Sequence, residues 1–140
     1  MASELKVDKF TGVTTAGSID VTGEGNSTTT NLQQGLAKAW VNFNGTGTIA
    51  TRDSYNVSSL NDDGTGLYDV VLTSNMVNND YSPTVSGAFN TADSSAETVP
   101  TSRRIDLVTS EFGLRSTKLD NSHAFADSEL IYSTIHGDLA

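Results

Sequence analysis

Tyr55-Asn56-Val57-Ser58-Ser59-Leu60-Asn61-Asp62-Asp63-Gly64-Thr65-Gly66-Leu67-Tyr68-Asp69-Val70-Val71-Leu72-Thr73 decides the fold class. Residues 55–60 and 67–73 are too short for stable helices, and Asn, Asp and Gly are concentrated between them, where a tight or bulged turn needs them. The stretch therefore predicts strand, turn, strand. Moving outward, short runs punctuated by turns every eight to twelve residues continue from residue 39 to 138, the spacing of an all-β domain.

Trp40, Val41 and Phe43 open that domain, and Asn44-Gly45-Thr46-Gly47 closes their run with residues that tolerate positive φ. A strand or loop follows over 48–52, and further strands are expected at 82–89, 104–110, 112–117 and 128–136. Residues 90–101 are long and polar enough to read as an exposed loop. The strand total suits an antiparallel β-sandwich, jelly-roll-like, of seven or eight short strands.

Residues 1–38 have a different texture from 39–140. Leu5, Val7 and Phe10 fall in a charge-interleaved pattern suited to a short strand, and Ile19 and Val21 in a second one at 18–22. Only Asn31-Leu32-Gln33-Gln34-Gly35-Leu36 is credible as helix, with Asn31 capping a turn whose third position is Gln34 and Gly35 keeping it short. Leu32 and Leu36, four apart, share a face. The whole segment is expected to be an extended N-terminal arm with few anchors of its own.

Composition bounds the function. The 140 residues carry 8 Lys plus Arg against 17 Asp plus Glu, a formal charge of -9, and only 36% are hydrophobic. Nineteen Thr, seventeen Ser, eleven Asn and twelve Gly make up about two fifths of the chain, so one copy is apolar-poor for a self-sufficient core. The acidity offers no basic stripe for a phosphate backbone or an anionic bilayer surface, so nucleic-acid binding is not expected, and apolar runs of only three or four residues, such as Val70-Val71-Leu72, leave no membrane insertion expected. There is no Cys, which removes thiol chemistry and Cys-based zinc sites. The opening residues alternate charged and apolar groups, so no signal peptide is expected.

Residues that could carry chemistry are few. The two His, His123 and His136, follow no Gly-x-Ser-x-Gly elbow, and His136 reads as a strand end. Asp62 and Asp63 beside Gly64 resemble the acidic corner of a calcium loop, but the EF-hand register fails and a turn accounts for them; whether they hold a metal stays open. Arg103-Arg104 reads as a solvated edge or an intersubunit ion pair. No catalytic or cofactor-binding residue is expected, and no cofactor.

One run resembles a known module. Leu32-Gln33-Gln34-Gly35-Leu36-Ala37-Lys38-Ala39-Trp40-Val41-Asn42-Phe43-Asn44-Gly45-Thr46-Gly47, continued by residues 53–66 and closed by Ile131-Tyr132-Ser133-Thr134-Ile135-His136-Gly137-Asp138, resembles a module of bacteriophage virion proteins, found in tail fibres and related appendages of marine phages. The resemblance implies a β-rich, non-enzymatic homotrimer in the virion, and it offers no catalytic motif to carry over. Leu32, Leu36, Trp40 and Phe43 are then expected near the oligomer interface, and Leu5, Val7, Phe10, Ile19 and Val21 in attachment to other virion proteins. Loops 75–82 and 90–101 suit a host surface glycan, and suit plain solvation as well. The rival readings are a capsid decoration or head-fibre protein, and a carbohydrate-binding or glycan-active module.

Overall fold

The computed structural model describes residues 4–13, 15, 18–23, 28–87, 98–103, 107–120 and 122–140. The chain divides into two compact units, Met1–Leu36 and Ala37–Ala140. The first holds a small hairpin, β1 (Asp20–Thr22) with β2 (Thr29–Asn31), and one helical turn, α1 (Leu32–Gly35). The second holds β3 (Ala39–Asn44), β4 (Ala50–Tyr55), β5 (Val57–Gly64), β6 (Leu67–Leu72), β7 (Ser82–Gly87), β8 (Thr98–Arg103), β9 (Glu111–Lys118) and β10 (Ile131–His136).

These eight strands form two antiparallel sheets in the orders β4-β3-β10-β7 and β5-β6-β9-β8. The fold is the all-β antiparallel sandwich that the turn spacing implied. Its core is built by alternation: Ala39, Val41 and Phe43 of β3 and Ile131 and Ile135 of β10 face Tyr68, Val70 and Leu72 of β6 and Phe112 and Leu114 of β9. Each large apolar side chain buried this way contributes roughly 1.5–3 kcal/mol. Phe43 and Tyr68 meet edge to face across the two sheets, ring centres 5.4 Å apart.

The decisive stretch forms the hairpin β5–β6, with a shorter turn than the composition suggested. Strand pairing runs on to Gly64 opposite Leu67, leaving Thr65-Gly66 as the loop. A bulge between Asp62 and Gly64 absorbs the extra residue, Asp62 Oδ1 accepts the Gly64 N–H at 3.0 Å, and Gly64 and Gly66 take φ of 124° and 65°.

Several local expectations are corrected. No strand forms over residues 4–10, where no partner strand satisfies the backbone. Residues 98–103, expected within a loop or just after it, form edge strand β8; a strand with Pro100 and polar side chains is sustained by its ladder to β9 and not by hydrophobic alternation. The loop reading of 90–97 lies outside the described residues, as do residues 104–106 of the strand expected at 104–110; its residues 107–110 are described and are not strand. Asn56 does not begin a strand: with φ of 56° it is the corner between β4 and β5, where the chain passes from one sheet to the other. Its amide donates to the Lys38 and Ser74 carbonyls at 3.0 and 3.2 Å and accepts the Ser74 N–H at 2.8 Å.

All four sheet edges are blunted against further pairing. The two prolines, Pro83 and Pro100, sit on edge strands β7 and β8. Edge strand β5 carries two bulges and Asp62-Asp63; edge strand β4 carries one register shift, with Arg52 at the irregularity tied to the Glu129 carbonyl at 2.7 Å.

Gly66 is the turn position with least freedom. A Cβ there would lie 2.5 Å from the Ser116 carbonyl and 2.8 Å from the Ala126 nitrogen, whereas one at Gly47, φ 62°, would meet nothing. Gly66→Ala should therefore cost more than about 2 kcal/mol by urea unfolding, and Gly47→Ala only the backbone strain of about 1 kcal/mol.

Candidate functional site

The N-terminal unit contains an apolar hollow of about 480 Å³ lined by Phe10, Ile19, Leu32 and Leu36 together with Lys9 and Gln33. Its geometry follows from the hairpin. Residues 20–22 pair with 29–31, and the next rung, where the Leu32 N–H donates to the Ile19 carbonyl at 2.8 Å, sets Ile19 beside Leu32. Asn31 then caps the helical turn, its side-chain oxygen accepting the Gln34 N–H at 3.0 Å, which brings Leu36 round to the side of Leu32. Gly12 lies close to the hairpin: a Cβ there would lie 2.7 Å from Ser18 Oγ and 3.5 Å from Ile19 Cγ1, so a larger residue would require the Ser18 hydroxyl to turn aside.

The hollow joins residues that the sequence assigned to two separate tasks, Phe10 and Ile19 to attachment and Leu32 and Leu36 to self-association. Leu5, Val7 and Val21 are exposed and do not line it. In the sandwich, Trp40 lies outward on β3 with 36% of its surface exposed, while Phe43 is fully buried inside a single copy. Phe43 faces inward because it stands an odd number of residues from Trp40 on the same strand, so it presents no surface to a neighbour.

The candidate chemical residues resolve into structural roles. Asp62 caps its own turn, while Asp63 pairs with Arg103 at 3.6 Å. The Arg103 side chain is 17% exposed and pairs within its own chain, so it is not the solvated side chain that the edge reading expected. Among the described residues no group of three or more His, Asp or Glu could hold a metal ion. Asp120, Ser122 and His123 are close in sequence, but the Ser122 hydroxyl and N–H both donate to Asp120 Oδ1, at 2.5 and 2.9 Å. Those bonds hold the Asp120 carboxyl below its ordinary range and describe a turn, not an activated nucleophile. His136 is exposed at the end of β10, opposite Ser82.

Sequence reasoning missed a polar cluster around the buried Tyr68 hydroxyl. The Tyr68 hydroxyl lies 3.1 Å from the Gly45 carbonyl and 3.2 Å from Asp127 Oδ1 and accepts the Ser128 N–H at 3.4 Å, and Asp127 Oδ1 also accepts the Gly66 N–H at 2.7 Å. Gly45 serves here through space, not through positive φ: a Cβ would come within 2.6 Å of the Tyr68 oxygen. Burial is the largest reason that the Tyr68 phenol is pushed far above its ordinary value, with the Asp127 charge adding to it. Tyr81, whose hydroxyl lies 2.9 Å from both the Val108 and Glu111 carbonyls, is likewise pushed up by burial to about 12. Loop 75–82, expected to offer contacts, is thus pinned at Tyr81 and again at Met76, which is buried and bridges to Leu139.

No family model, curated protein or solved structure matches this chain.

Two measurements follow from the buried phenols. Tyr68→Phe should cost about 1–3 kcal/mol, because it leaves the buried Gly45 carbonyl and Ser128 N–H without the hydroxyl that serves them. Both phenols ionise less readily folded than unfolded, where the value is 10.0. The unfolded chain therefore loses protons first as pH rises past 10, and the contribution of these two groups to stability should be level from neutral pH to 10 and decline above it toward pH 12. Urea unfolding as a function of pH reads both effects, and Tyr81→Phe should flatten part of the alkaline decline.

Proposed function

We propose that this protein is a non-enzymatic structural component of a bacteriophage virion, a short fibre or appendage subunit that attaches through its N-terminal unit and assembles as a trimer. The observation that carries the attachment reading is the apolar hollow of residues 9–36. A unit of that size cannot bury enough apolar surface to be stable alone. It nevertheless leaves Phe10 62% exposed, with Leu5, Val7, Val13, Val21 and Leu36 exposed as well. Apolar surface of this kind is completed by a protein neighbour, and the subunits of a particle are such neighbours.

The trimer rests on the resemblance and on composition: with 36% hydrophobic residues, a second and third copy supply burial that one lacks. The blunted sheet edges direct any such assembly to faces and to the N-terminal unit. Capsid decoration uses the same logic at another place on the particle, and density for the protein on intact virions distinguishes head from tail.

The test uses the full chain. Phe10→Asp with Leu36→Asp should leave the circular dichroism of the sandwich intact and reduce incorporation into particles at least about tenfold, the loss expected from placing charge in an apolar contact. Normal incorporation of the double variant overturns attachment through the hollow. Light scattering of the purified protein should give three times the chain mass of 14.8 kDa, and a single-chain mass at all concentrations overturns the trimer.

A further inference from the structure

The outward face of the sheet β4-β3-β10-β7 has an order that neither the core nor attachment explains. Strand register sets Tyr55, Trp40, Thr134 and Thr84 side by side in one row across the four strands. The next row is Asp53, Asn42, Tyr132 and Ser86. Neighbouring strands lie about 4.8 Å apart and same-face diagonals about 7–8 Å. Three aromatic rings therefore stand on adjacent or diagonal positions of one flat surface. Trp40 and Tyr55 are 36% and 53% exposed, and Tyr132 is half-buried.

Between the rings every position bears a hydroxyl, amide or carboxylate, and neither row holds a Val, Ile, Leu or Met. Protein interfaces mix their aromatic residues with Met, Arg and aliphatic groups. A sugar ring has different needs: apolar C–H faces that lie on aromatic plates and hydroxyls that need donors and acceptors at the plate edges. Asn42 Oδ1, in the middle of the second row, is buried and has no hydrogen-bond partner among the described residues. That acceptor is satisfied if Asn42 turns outward to a ligand hydroxyl.

Charge selects the kind of sugar. Asp53 is the one charged side chain in the two rows, no Lys or Arg stands in them, and the chain carries -9 overall. An anionic glycan would meet repulsion with no cation in either row, whereas a neutral one meets a carboxylate able to accept hydroxyl protons. We propose that this sheet face, centred on Trp40, Tyr55 and Tyr132, is a binding platform for a neutral oligosaccharide. It concerns the sandwich alone, so its failure leaves the role of the N-terminal hollow standing.

Titration of the intact chain with maltohexaose, cellohexaose, xylohexaose and chitohexaose, backed by an array of neutral and sialylated or sulfated glycans, tests the platform. At least one neutral glycan should bind, and Trp40→Ala should weaken it about tenfold or more, the scale of one lost stacking contact. Tyr55→Ala, at an exposed edge where folding is not at stake, should weaken it in the same direction, and Asp53→Asn, which removes the charge and one acceptor oxygen, should weaken neutral-sugar binding by a few-fold and lessen the exclusion of anionic glycans. Absence of binding by every neutral glycan at millimolar concentration overturns the proposal. Preference for anionic glycans, or unchanged affinity in both aromatic variants, does so as well. If light scattering gives a multimer that Trp40→Ala dissociates while no glycan binds, the face is a contact between copies and the platform is refuted.

Discussion

The contact between Phe43 and Tyr68 is where the two sheets of the sandwich become one structure. Phe43 belongs to the sheet that holds β10 and Tyr68 to the sheet that holds β9, so their edge-to-face packing is an inter-sheet contact at the centre of the core. Tyr68 then does something that phenylalanine could not. Its hydroxyl sits among Gly45, which follows β3, and Asp127 and Ser128, which precede β10. One side chain thereby fixes the start of the first loop, the approach to the last strand and the turn at Gly66 through Asp127. A buried hydroxyl is tolerable only because each of these partners is present, and the glycine at 45 is what leaves room for it.

The periphery is organised by a second constraint, that open strands must not recruit others. Proline on β7 and β8, bulges and acids on β5, and the irregular β4 braced from Arg52 to Glu129 blunt all four edges by different means. Gly87 lies so close to Pro100 that a Cβ would come within 2.6 Å of its ring, which packs the ends of the two proline-bearing edges together. With its edges closed, the sandwich has its flat outer faces left for recognition, and the aromatic rows of Trp40 and Tyr132 occupy one of them.

How much of this could be read from the residues depends on the range of the forces involved. The hairpin β5–β6 and the Asn31 cap were legible because they are local: turn residues and a capping side chain act within three or four positions. β8 was not, since Thr98-Val99-Pro100-Thr101 has no alternation to mark it and is held by its ladder to β9. The pairing of Arg103 with Asp63 was not legible for a similar reason, because the two are forty residues apart and no pattern announces the pair. Phe43 was assigned to a shared surface with Trp40; strand alternation alone would have separated them, one inward and one outward.

The sequence by itself determined the class of fold, the hairpin and the change of texture between the first forty residues and the rest, since all three depend on composition and near-neighbour periodicity. It also determined the sign of the protein's surface. Only the tertiary structure decided that Phe10, Ile19, Leu32 and Leu36 surround one hollow, that Tyr68 is locked to Gly45 and Asp127, and that Tyr55, Trp40 and Tyr132 share a face. Each of those groupings joins residues from separate strands or segments, and their register is set by pairing across the chain, which no local pattern encodes.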